Sequence, residues 1–144
     1  MKLEIKYEGQ YEKPEYGSKG AAGFDMRNNL AQSIELAPGE AFIFPTGVSC
    51  AIPEGYVGLV HVRSSLGFKR GCILANGTGV IDSDYRGEIN AKIRNPSNKT
   101  VKIDAGERII QMLIQPVVQC DLTFVDELNE TERGEGGYGS TGKF

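Results

Sequence analysis

Residues 74–89 read LANGTGVIDSDYRGEI, an apolar approach followed by closely spaced glycines, two aspartates, a tyrosine and a further glycine. Gly77 and Gly79 permit close backbone approach and positive φ, Val80 and Ile81 favour extended chain, and residues 83–87 carry turn chemistry. Alternation resumes at Glu88, so the expected unit is a strand, a turn and a returning strand. Such a unit offers alternating N–H and C=O groups to a planar ring, with Asp82 and Tyr85 projecting toward whatever the ring carries. That chemistry suits a nucleoside. Taken alone, the same residues read equally as a structural hairpin with exposed acids, because Asp and Gly favour turns.

Outward from this stretch the chain repeats one pattern, short apolar runs separated by turn signals. Strands are expected at 3–7, 33–36, 41–44, 48–52, 57–62, 72–74, 80–82, 88–94, 101–103, 109–118 and 122–125. Ala37-Pro38-Gly39-Glu40, Pro53-Glu54-Gly55 and Asn95-Pro96-Ser97-Asn98 punctuate them. One short helix is expected at 64–70, capped by Ser64 or Ser65 and ended by Gly71. The fold class is therefore all-β, a sandwich or jelly-roll-like barrel with at most a short helix. With 144 residues the chain fits one domain. After Asp126 the aliphatics thin out, which divides a β-domain at 1–126 from a flexible, glycine-rich arm at 127–144.

A formal charge of −3 gives no basic footprint, so neither nucleic acid nor an anionic membrane is an expected partner. Cys50, Cys72 and Cys120 are odd in number and flanked by apolar residues, the pattern of reduced, mostly buried thiols. His61, the single histidine, sits in VGLVHV (57–62) and reads as a strand residue; no zinc spacing or Ser-His pairing accompanies it. The N-terminus lacks a signal-peptide core and no apolar run approaches a membrane span, so a soluble, cytoplasmic protein is expected.

Two further segments carry phosphate chemistry. Arg63-Ser64-Ser65-Leu66-Gly67 follows a strand and opens the helical turn, where hydroxyls, backbone N–H groups and a guanidinium can converge on an anion, or where a plain helix start lies beside a surface arginine. Residues 133–142, RGEGGYGSTG, place an arginine, an aromatic ring and two hydroxyls on a backbone able to wrap. Walker and Rossmann glycine patterns are absent.

In order and spacing, AAGFDMR (21–27), VRSSLGFKRG (62–71), NGTGVIDSDYRGEI (76–89), GERIIQMLI (106–114) and RGEGGYGSTG (133–142) resemble the five motifs of the homotrimeric dUTP pyrophosphatases. The resemblance implies a distorted jelly-roll subunit that hydrolyses dUTP to dUMP and pyrophosphate, limiting uracil in DNA and supplying dUMP for dTTP synthesis. It implies Asp82 as the general base for the attacking water. Arg63, Ser64, Ser65, Gly67 and Gln111 match positions around the phosphates, with Arg108 as their scaffold. Asn76 and the backbone near Gly79 match the uracil site, and Tyr85 lies beneath the deoxyribose. Arg133, Tyr138, Gly139, Ser140 and Thr141 match the closing arm. Mg²⁺ is implied, held mainly by phosphates and water, with Asp25 and Gln111 in its outer shell; Asp25 reads equally as a turn brace or an arginine partner.

A homotrimer is implied as well, one subunit giving Asp25, Arg63–Gly67 and Gln111, the second the 74–89 unit and the third the arm. Val62 stands where many relatives have proline, and Tyr138 where phenylalanine is usual. The rival readings are a dCTP deaminase, a nucleotide-dependent regulatory protein and a structural β-trimer. No regulatory partner is indicated by the residues.

Overall fold

The computed structural model describes residues 1–137. Chain order runs β1 (Glu4–Tyr7), β2 (Glu15–Tyr16), β3 (Phe24–Arg27), β4 (Ile34–Leu36), β5 (Ala41–Phe44), β6 (Val48–Ala51) and β7 (Tyr56–Val62). Then follow α1 (Ser64–Arg70), β8 (Ile73–Leu74), β9 (Gly79–Ile81), β10 (Ala91–Arg94), β11 (Val101–Ile103) and β12 (Arg108–Pro116). All strand pairs are antiparallel and form four sheets, ordered β1-β6, β5-β10-β8, β4-β11 and β2-β3-β12-β7-β9. The all-β expectation holds; the sheets do not close into a barrel.

Period-2 patterning places the core. In β10 Ala91 and Ile93 are buried while Lys92 and Arg94 are exposed, and β11 buries Val101 and Ile103 around exposed Lys102. These side chains meet Phe44, Met26, Leu66, Ile109, Ile110 and Met112, all fully buried. Burial of each large apolar side chain contributes about 1.5–3 kcal/mol. The fully buried amides are satisfied: Asn28 Nδ2 donates to Asp104 O (2.8 Å), and Asn95 Nδ2 to Leu36 O and Lys99 O (both 2.8 Å).

The largest sheet contains one irregularity with consequences for function. Arg108 pairs with Arg27 and Ile110 with Met26, so Ile109 and Ile110 together oppose one residue of β3. Both isoleucines are buried, and the extra residue stands outside the regular ladder. The bulge also puts Arg108 and Gln111, three residues apart, on the same outer face as Asp25.

Four expectations need correction. β9 and β10 do not return on each other: β9 pairs with β7, whereas β10 pairs with β5 and β8, so the segment between them bridges two sheets. β2 and β3 were not anticipated as strands, because their short length and the polar Asp25 and Arg27 weaken the apolar signal. No strand forms at 122–125, where Leu122 and Phe124 are 81% and 94% exposed; the alternation is present but lacks a partner among the described residues. Finally, the cap position of α1 is Arg63 and no side chain caps it, so Ser64 and Ser65 are free of that duty. Gly71 ends the helix as expected, at φ 72°. Cys50 and Cys72 are buried thiols whose pKa burial pushes up, but Cys120 is exposed.

Candidate active site

Six of the expected site residues line one of two clefts, Asp25, Arg63, Ser64 and Gln111 in one and Asp82 and Tyr85 in the other. The first, about 430 Å³, is lined by Asp25 of β3, Arg63 and Ser64 at the start of α1, Gln111 and Leu113 of β12, and the small residues Gly17, Ser18, Ala21, Ala22 and Gly23. The ladder builds it: Asp25 is the register partner of Gln111, which is in turn opposite His61 on β7. Directly paired residues share a face, so the acid and the amide stand side by side. Arg63 follows β7 and is tied to β12 by its N–H to Ile109 O (3.0 Å).

Charge in this cleft is organised by one buried carboxylate. Asp25 Oδ1 lies 2.9 Å from Arg63 Nε, and Oδ2 lies 3.5 Å from Arg108 Nη1. Arg63 Nη1 also donates to Arg108 O at 3.4 Å. Two guanidiniums against one carboxylate leave a net positive charge beside the cleft, and Arg63 keeps N–H groups on Nη1 and Nη2 beyond these bonds. Oxyanions are the natural occupants of such a cleft. Ser65 and Gly67 belong to the same helix but do not line the cleft. Gly67 has a packing reason, since a Cβ there would meet Val62 Cγ2 at 2.9 Å.

The second cleft, about 240 Å³, is lined by Val80, Ile81, Asp82, Tyr85, Glu88, Ile89 and Asn90. Asp82 is exposed and follows directly on β9; its carbonyl accepts the N–H of Tyr85 at 3.2 Å, closing the turn. The Tyr85 hydroxyl donates to Glu88 O at 3.1 Å. Its ring end lies so near Gly87 that a Cβ there would stand 2.4 Å from the hydroxyl. Glu88 Oε1 accepts the N–H groups of Thr46 (3.0 Å) and Gly47 (2.6 Å), which ties this turn to the β5–β6 connection. Asp82 and Asp84 also border an adjoining open groove with Glu54, Arg86 and Val117.

Gly79 lies on β9, opposite Val60 on β7, and a Cβ would meet Val60 Cβ at 3.0 Å. Close packing, not positive φ, requires this glycine; the left-handed residue of the pair is Gly77, at φ 72°. β9 is the last strand of its sheet, so one row of its backbone groups faces away from β7. Asn76, just before it, accepts the N–H of Thr78 through its carbonyl at 2.8 Å. Neither residue lines the Asp82 cleft. Arg133 bonds Gly136 O through Nε at 2.8 Å, apart from both clefts. Tyr138, Gly139, Ser140 and Thr141 lie outside the described residues.

Among the described residues none lines both clefts: Asp82 and Tyr85 line one, Arg63 and Ser64 the other. Each volume is at or below the lower part of the range usual for small-molecule sites, roughly 300–1,000 Å³. Gly17, Ser18 and Glu88 were missed as site-forming in the sequence, and Ala21, Ala22 and Gly23 entered only as part of a motif. The run GSKGAAG (17–23) does carry a signal, since side chains that small leave room for a ligand. Among the described residues no group of three His, Cys, Asp or Glu side chains is placed to hold a metal. The donors near this positive charge, a carboxylate paired to arginines and an amide, fit a hard cation that keeps its water and arrives on phosphates.

A sequence profile described as dUTPase matches residues 10–142. The chain is 42% identical over 142 residues to the deoxyuridine 5'-triphosphate nucleotidohydrolase of Aeromonas salmonicida, covering 98% of this chain and 93% of that protein. Its counterpart in Fusobacterium nucleatum is 45% identical over 139 residues, covering 96% and 94%. A solved structure of a mutant dUTPase of Staphylococcus bacteriophage 80alpha with dUpNHpp superposes with a TM-score of 0.85, at 30% identity and 98% coverage of both chains.

Proposed function

Because the chain belongs to the dUTPase family and is a dUTP nucleotidohydrolase, we propose that it cleaves dUTP to dUMP and pyrophosphate by in-line attack of water at the α-phosphorus. Asp82 orients the water and takes its proton. A carboxylate so placed lowers the barrier by orientation and base catalysis, with no covalent intermediate. Negative charge that grows on the phosphate chain meets Arg63, the hydroxyls of Ser64 and Ser65, the backbone near Gly67, and Gln111. Mg²⁺, carried by the phosphates, supplies charge neutralisation when bound; Asp25 and Gln111 are the residues that would face its water shell.

Uracil is read by the free backbone edge of β9 around Gly79, with Asn76 beside it. Cytosine would set a donor against groups that expect an acceptor and leave buried polar atoms unpaired. Tyr85 packs beneath the deoxyribose and leaves no space for a 2'-hydroxyl. Residues 127–144 form an arm over the β-domain of 1–126, and Arg133, Tyr138, Gly139, Ser140 and Thr141 close on the nucleotide. In the cytoplasm this activity lowers dUTP and supplies dUMP.

The observation that supports this reading most strongly is the division of the chemistry between two clefts that share no residue. A homotrimer resolves it, with Asp82 of one subunit facing Arg63 and Ser64 of another and the arm of a third closing the site. The direct test measures pyrophosphate release from dUTP, dCTP, TTP and UTP with and without Mg²⁺, beside Asp82→Asn. The expected variant loses about 10²–10⁴-fold in kcat with KM changed little. An Asp82→Asn enzyme of wild-type turnover would overturn the base assignment.

A further inference from the structure

The two segments assigned to the phosphates, 63–67 and 108–111, lie far apart in the sequence, and the elements that carry them are tied together at both ends of α1. One tie is at the helix start, where Arg63 bonds Ile109 O and shares Asp25 with Arg108. The other lies at the opposite end of α1, outside both clefts. Arg70, the last residue of the helix, sends Nη1 and Nη2 to the two carboxylate oxygens of Glu107, the residue immediately before Arg108. The same guanidinium donates from Nη1 to Lys102 O (2.8 Å) and from Nε to Ser65 O (3.3 Å). Glu107 is fixed in turn: Oε2 accepts the N–H of Asp104 (3.0 Å), and its carbonyl accepts the N–H of Asn28 (2.9 Å). The side chains of Arg70 and Glu107 are 28% and 22% exposed, buried enough for a two-point pair to hold one geometry.

α1 needs such a hold. It has seven residues, no side-chain cap at its start, and Leu66 as its one buried residue. A helix this short has little stability of its own; Arg63 ties its start to β12 through its N–H to Ile109 O, and Arg70 ties its last turn. Any rotation displaces the Ser64 and Ser65 hydroxyls relative to Gln111.

We propose that Arg70 is a positioning residue and that Arg70 with Glu107 forms a clamp holding α1 against the start of β12, so that both segments converge on one phosphate chain. The clamp rests on the phosphate-side assignment above and adds to it the residue pair that sets its geometry. Neither Arg70 nor Glu107 lines the cleft, so the pair acts through Ser64, Ser65 and Gln111.

The test uses the full-length protein and four variants: Arg70→Gln, Arg70→Lys, Glu107→Gln and the double Arg70→Gln/Glu107→Gln. For each, kcat and KM for dUTP, affinities for dUpNHpp and dUMP, and the thermal midpoint are measured. Arg70→Gln is expected to lower kcat/KM and dUpNHpp affinity about tenfold, because small displacements of positioned groups are costly. Affinity for dUMP, which lacks the outer phosphates, changes less than twofold. The double variant is no worse than the poorer single one, since both remove the same clamp. Arg70→Lys, with a point charge in place of a fork, recovers part of the loss. A folded Arg70→Gln enzyme with kcat/KM and dUpNHpp affinity within twofold of wild type overturns the clamp. So does an equal fall in dUMP and dUpNHpp affinity, which marks general destabilisation. Arg63→Gln separates the two levels: if it loses activity while Arg70→Gln does not, the clamp fails and the phosphate-side assignment stands. If Arg63→Gln is also without effect, both fall.

Discussion

Single side chains in this protein take their roles from what restrains them. Tyr85 is held over its turn by its bond to Glu88 O, and Gly87 leaves the space its ring end fills. If the ring tests the sugar, Tyr85→Ala raises kcat/KM for UTP relative to dUTP at least about tenfold, because a removed steric block is worth one to three kcal/mol. Gly87→Ala shifts selectivity the same way without touching Tyr85 itself: its new methyl would stand 2.4 Å from the hydroxyl, the far end of a side chain that can swing. Competition assays with the two nucleotides measure both; unchanged selectivity in Tyr85→Ala removes the ring from the sugar site. The turn that carries Asp82 and Tyr85 was legible because turn chemistry and an exposed acid are local features. An arginine partner for Asp25 was legible as one reading, but not which arginines, since Arg63 and Arg108 reach the carboxylate only through pairing of strands distant in sequence.

Among strands and turns, the decisive device is the bulge at Ile109–Ile110. The adjacent isoleucines look like an ordinary apolar run, and nothing local says that two of them will oppose Met26. Yet the extra residue brings Arg108 and Gln111 onto one face. The opposite error arises at the strand expected over 122–125, which continues an alternation of Val118, Cys120, Leu122 and Phe124 with Gln119, Asp121 and Thr123. That pattern reads as a strand, but pairing needs a second edge, and Val118, Leu122 and Phe124 remain more than 80% exposed. We expect another subunit to cover this face. Leu122→Ser/Phe124→Ser should then shift sedimentation toward monomer, and Cys120 should alkylate slowly in wild type and rapidly in the variant. Wild-type sedimentation and equal Cys120 labelling would leave the segment without a role in assembly. Cys50 and Cys72, buried with raised pKa, should resist the reagent in both.

Taken as one body, the chain has a core that composition and alternation made legible and a divided site that they did not. Turn signals at 37–40, 53–55 and 95–98 separate strands where expected, and the fully buried side chains follow the period-2 pattern of β10 and β11. The split between clefts depends on strand order, with β9 at a sheet edge and β12 in the middle, which no window of sequence contains. The central claim is that each site is completed across subunits. It is tested by mixing two inactive variants, Asp82→Asn and Arg63→Gln, through co-expression or unfolding and reassembly. Random assembly in equal amounts gives hybrid oligomers in which about a quarter of the sites carry both residues intact, so dUTP turnover should recover to about a quarter of wild type. Turnover that stays at the sum of the two parents would mean that Asp82 and Arg63 serve the same chain's site, and would contradict the account.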